Sequence, residues 1–261
     1  MSKLTIALAL ATGLTLGMNG PATAGSIIQT LETPELSAST FNALFQPIDA
    51  APVLNSTYQF LGSPTTGNVG SQVFKGSGAA EGLYAYAYQL SVNNVNNAAG
   101  DPEHLDSVSY QFNATPVGSD FANVGHDVYA YSIKDGSIGS LVAPQASAGD
   151  QIRVPNTLAW QPGKVGVIRA AYVDPLTQTQ PLGAGATSAT FVLLSTQPFT
   201  QQFINLQGSN PTSGPYSSVY SATGGPINPV PVPEPSTLMA WAGMGAAALV
   251  ARRVRKTRAS R

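Results

Sequence analysis

The segment Leu83-Tyr84-Ala85-Tyr86-Ala87-Tyr88-Gln89-Leu90 alternates residue by residue, and this pattern restricts the fold more than any other feature of the chain. Successive side chains of an extended strand point to opposite faces, so a period of two marks a strand and conflicts with a helix. Tyr84, Tyr86 and Tyr88 therefore share one face, with small residues on the other. Runs of strand length recur at 108–112, 127–133, 164–173 and 189–195. Turn formers separate them at 93–101, Asp135-Gly136, Pro162-Gly163 and Leu182-Gly183-Ala184-Gly185. Short strands at this spacing, without long helices, predict an all-β fold, an antiparallel β-sandwich spanning 25–210. One short helix is expected within 31–45, limited by Pro34 and Pro47.

Composition narrows the function. Only 10% of residues are charged, against roughly 25% in ordinary soluble domains. The charges are also segregated. Residues 25–236 hold five basic and thirteen acidic side chains, a net of −8, whereas the last ten residues carry six basic ones. An acidic domain repels phosphates, so nucleic-acid binding by the folded part is disfavoured. The chain has no cysteine, which excludes disulfides, thiolate nucleophiles and cysteine-based zinc sites.

Both ends read as addresses. Lys3, an apolar run over 4–18 and the small-x-small site Ala22-Thr23-Ala24 have the layout of a secretory signal peptide, 1–24, cut between Ala24 and Gly25. At the other end, residues 238–251 contain no charge and no proline. As a helix they would be about 21 Å long, short against a hydrocarbon core of about 30 Å. Ser236 and Thr237 can extend that helix, and the stems of Arg252 and Arg253 can snorkel. A single C-terminal transmembrane helix over 238–251 is therefore expected. Arg252, Arg253, Arg255 and Lys256 would stop transfer and leave the acidic domain outside. The Pro-, Gly- and Ser-rich stretch 211–231 is expected to be a coreless stalk.

Val232-Pro233-Glu234-Pro235-Ser236-Thr237, followed at once by a Gly/Ala/Leu segment and an arginine cluster, resembles the PEP-CTERM sorting signal. The resemblance covers 232–261, divided into motif 232–237, helix 238–251 and basic tail 252–261. It implies an exported protein of a Gram-negative, exopolysaccharide-producing bacterium. Its partners would be signal peptidase and the secretion machinery, the membrane, an exosortase-like membrane protease, and exopolysaccharide. Pro233, Glu234 and Pro235 would be the recognised triplet. The protein would be held briefly in the inner membrane, then passed to the cell surface or extracellular matrix. The prolines independently favour an extended backbone that a protease groove can accept.

Chemistry-bearing candidates in the middle of the chain are few. Asp101, Glu103 and Asp106, around His104 in a charged loop, could offer oxygen ligands to Ca²⁺, though their spacing matches no EF-hand. Otherwise no cofactor is expected. His126-Asp127 could be a base and its orienting acid, but strand neighbours point to opposite faces. No nucleophile elbow, phosphate loop or zinc-protease motif is present. The expectation is a non-enzymatic surface protein. Alternatives are a carbohydrate-binding module using an exposed tyrosine row, and a hydrolase assembled from distant residues. Alternation favours the core for those tyrosines.

Overall fold

The computed structural model describes residues 28–95, 103–173, 180–213 and 218–230. Its strands in the first half are β1 (Gln29–Leu31), β2 (Phe45–Pro47), β3 (Leu54–Phe60), β4 (Thr66–Gly76), β5 (Tyr84–Val92), β6 (His104–Gln111) and β7 (Ala130–Ile133). They continue as β8 (Thr157–Gln161), β9 (Val167–Ala171), β10 (Leu182–Gly183), β11 (Thr190–Ser195), β12 (Phe199–Gly208), β13 (Thr212–Ser213) and β14 (Ser218–Ala222). One sheet runs β1-β8-β9-β6-β12-β14, with β10 also on β6. The other runs β13-β3-β4-β5-β11-β7, with β2 also on β4. Every pairing between these strands is antiparallel. The all-β, two-sheet expectation holds.

The sheets face each other across an aromatic core. Tyr86 packs edge-on to Phe112 with ring centroids 5.2 Å apart, and Tyr88 lies 4.5 Å from Tyr110. Tyr86 and Tyr88 of β5 are fully buried, and Trp160, Ile168 and Ala170 close the core from the first sheet. Their hydroxyls end on backbone carbonyls, Tyr86 on Gln197 at 2.8 Å and Tyr88 on Tyr220 at 2.6 Å. A buried phenol without such a partner would forfeit its hydration at a cost of about 1–3 kcal/mol.

The opposite face of β5 is buried as well. Ala85 and Ala87 lie in a second apolar cluster with Phe41, Phe45, Phe74, Val192 and Leu194. Its cover includes helix α1 (Ala38–Leu44), where Ser37 caps the N terminus by accepting the Thr40 N–H. A strand at the centre of its sheet, covered on both faces, needs small side chains where the cover approaches closely. This explains why alanines alternate with the tyrosines.

Three local expectations are corrected. His104 and Asp106 belong to β6 and not to a charged loop. The strand expected over 164–173 shrinks to β9, because Lys164 and Val165 stand in a bend before it. The coreless stalk over 211–231 fails most clearly: β14 pairs with β12, and Val219, Tyr220, Ala222 and Val230 are buried. Proline and glycine density signalled a linker, whereas the alternate apolar positions of 219–222 meet a sheet edge that sequence alone does not reveal.

Candidate functional site: the strap below the C-terminal signal

Residues 226–230 run as a strap along one end of the sandwich. Prolines at 226 and 229 lack a backbone N–H, so this segment cannot form a regular ladder and must find side-chain partners. Three distant elements supply them. The Thr115 N–H and hydroxyl both donate to the Pro226 carbonyl at 2.8 Å, and the Thr115 hydroxyl oxygen accepts the Asn228 N–H at 2.7 Å. The Trp160 indole N–H donates to the Asn228 carbonyl at 3.0 Å. Gln29 then closes on Val230 from both sides. Its Nε2 donates to the Val230 carbonyl and its Oε1 accepts the Val230 N–H, each at 2.8 Å.

The amide of Gln29 thus acts as one more backbone unit, and Val230, 2% exposed, is fixed in the core. Only Pro231 and Val232 separate it from Pro233. At about 3.3–3.6 Å per residue, Pro233 lies at most about 11 Å of chain from the folded domain. Gln29 sits four residues beyond Gly25. Both expected processing points are therefore tethered to the same end of the sandwich.

A family model for the PEP-CTERM protein-sorting motif matches residues 231–256, beginning at the residue after the strap. The chain carries a PEP-CTERM sorting motif. It is confined to this C-terminal stretch, and the folded domain lies ahead of it. No curated protein and no solved structure matches the chain. The PEP-CTERM motif supports export and sorting by exosortase, a membrane protease, towards the cell surface or beyond.

Several expected site residues lie outside the described residues: Ala22, Ala24, Gly25, Asp101, Pro233, Glu234, Pro235, Arg252, Arg253, Arg255 and Lys256, as does the expected membrane helix. Among the described residues no helix is long and apolar enough to cross a membrane.

The other candidates are placed as follows. Glu103 is 1% exposed, and its carboxylate accepts hydrogen bonds from the Ser209 hydroxyl and from Asn210 Nδ2, the latter at 3.0 Å. Asp106 turns to His104 instead, Oδ1 to Nε2 at 3.4 Å. Among the described residues no three histidine or carboxylate side chains converge as metal ligands. His126 contacts Glu32 at 3.0 Å, ninety-four residues earlier in the chain, and not its neighbour Asp127. The core expectation for the tyrosines holds at Tyr86 and Tyr88, both buried, and the alternative of an exposed tyrosine row does not, since only Tyr84 is partly open.

Sequence reasoning missed Gln29, Thr115 and Trp160 as the residues that hold the strap. Nothing in a lone glutamine announces a backbone clamp. The one available signal was that Pro226 and Pro229 leave their neighbours in need of side-chain partners.

Proposed function

We propose that this PEP-CTERM protein is a non-enzymatic component of the cell envelope or extracellular matrix in a Gram-negative, exopolysaccharide-producing bacterium. Signal peptidase cuts after Ala24. The apolar segment 238–251, backed by Arg252, Arg253, Arg255 and Lys256, holds the exported domain at the inner membrane. The exosortase-like protease then recognises Pro233-Glu234-Pro235 and releases or transfers the domain. The reading needs no cofactor. Its main support is the sorting motif beginning directly where the folded domain ends.

The short connection has a mechanistic consequence. A membrane-embedded protease must work within about 11 Å of chain from a folded sandwich. The strap fixes which end of that sandwich faces it, and the domain is delivered intact because the cut falls outside every core contact described.

Intact mass spectrometry of the mature protein from its own cells tests this reading. Loss of residues 1–24 and of everything beyond the Pro-Glu-Pro region is expected. Retention of Trp241 and the arginine tail in all of the protein would overturn sorting by cleavage.

A further inference from the structure

The first sheet has a polar outer face, whereas the second sheet is covered on its outer side over β5, β11 and β7 by α1 and the loops around Phe121 and Leu141. Val108, Tyr110, Ile168 and Ile204 point into the core, so alternation turns Ser107, Ser109, Arg169, Asn205 and Gln207 outward. Cross-strand register aligns them. Arg169 stands opposite Ser109, and Ser109 opposite Asn205, so a guanidinium, a hydroxyl and an amide form one row over three strands. Ser107 stands opposite Gln207 in the parallel row, its hydroxyl 3.2 Å from Gln207 Oε1. With Gln161 these side chains line an open basin of about 440 Å³. On the same face of β12, Phe203 is 60% exposed.

The charge on this face runs against that of the domain. Acidic side chains outnumber basic ones two to one among the described residues, yet no outward position of β8, β9, β12 or of β6 from Ser107 onward is a carboxylate. Arg169 has no ion pair among the described residues, and its one hydrogen bond is a long 3.4 Å contact to the Ser107 hydroxyl. Lys134 and Arg153, by contrast, pair with Glu35 and Asp150.

We propose that this face binds a glycan that carries spaced carboxylates. The planar fork of Arg169 matches a carboxylate in two-point geometry. Ser109, Asn205 and Gln207 both donate and accept hydrogen bonds, as sugar hydroxyls require. Phe203 supplies an apolar plate for a neighbouring sugar ring. Three other ligand classes fit less well. Nucleic acid needs several cations along a phosphate backbone, and this face has one. A protein interface needs an apolar, desolvated centre, and this centre is amide and hydroxyl. A densely charged polymer would be repelled by the acidic domain, so the carboxylates must be spaced. The inference stands apart from the sorting reading, since it rests on the sheet face alone.

The test is calorimetry with protein purified from its own cells, using gellan oligosaccharides, whose glucuronates are spaced along the chain. Carboxyl-reduced gellan oligosaccharides serve as the neutral match. Binding to gellan is expected, with a loss of about tenfold or more for Arg169→Gln and a separate loss for Phe203→Ala. Lys75→Gln, on the other sheet, should leave it unchanged. Both test residues are exposed, so melting temperatures should not move; if Arg169→Gln does lower melting, Phe203→Ala decides. No binding to gellan, equal binding to the carboxyl-reduced form, or binding indifferent to both substitutions would each overturn the proposal. A co-purified protein seated on this face would replace it.

Discussion

Replacing Gln29 by alanine removes both 2.8 Å hydrogen bonds that hold Val230. Each such bond contributes about 0.5–1.5 kcal/mol net, so the pair is worth roughly 1–3 kcal/mol. Val230 is buried, so its freed N–H and C=O do not simply turn to water, which places the loss in the upper part of that range. The loss falls mainly on the strap, because Thr115 and Trp160 still hold Pro226 and Asn228 and segments of a fold can open independently. At about 1.4 kcal/mol per factor of ten, a loss of about 2–3 kcal/mol should raise the open fraction at Val230 roughly 25- to 150-fold. Native-state amide exchange reads this directly. The Val230 amide should exchange faster by that factor in Gln29→Ala, while core amides of β6 change far less. An unchanged rate at Val230 would refute the clamp. A uniform acceleration across all strands would show instead that β1 and the strap belong to one global unit. Opening back to Pro226 would free five more residues, adding about 17 Å to the reach of the sorting motif.

Three further outcomes are expected. Tyr86→Ala removes a fully buried ring packed on Phe112 and a hydroxyl bonded to Gln197; it should cost about 3–5 kcal/mol in urea unfolding, and a cost well below 1 kcal/mol would contradict a core role. Burial first, then the Asp120 and Asp127 carboxylates, pushes the Tyr131 hydroxyl up to about 12, and burial also raises Tyr58, Tyr88 and Tyr110 above 10.0. Unfolded tyrosine ionises first, so the stability these groups give is complete below about pH 10 and is lost as pH climbs through 10 to 12 and beyond. Phenolate absorbance should then rise together with loss of near-ultraviolet dichroism; ionisation near pH 10 with the fold intact would count against the buried cluster. Gly67→Ala places a methyl 2.2 Å from the Tyr58 ring and 2.3 Å from the Ser91 carbonyl, where Tyr58 donates its hydroxyl to Ser91. Thermal unfolding should show a loss of about 1–3 kcal/mol, and a neutral result would mean that Tyr58 does not lie over Gly67.

Legibility followed the range of the forces involved. The alternation of 83–90 marked β5 because a strand's two faces are a property of the local backbone, and the same holds for β11 and much of β6. The helix within 31–45 was legible for the same reason, since the flanking prolines at 34 and 47 act within a few residues. β14 was illegible because it lies in Pro-, Gly- and Ser-rich surroundings and exists only by pairing with β12. Glu103 read as a candidate ligand because three carboxylates stood close in sequence. Its actual partners, Ser209 and Asn210, are more than a hundred residues away.

The sequence by itself determined the class of fold and the address. Residue period dictates strand, and a contiguous proline, apolar and basic tail is recognised as a linear string, so neither needs the rest of the chain. Tertiary structure decided that the tyrosine strand is covered on both faces, where the domain ends, and how its signal is held. Those outcomes depend on pairings such as Gln29 with Val230, 201 residues apart, where two amide hydrogen bonds gain strength only after the folded sheets exclude water around them.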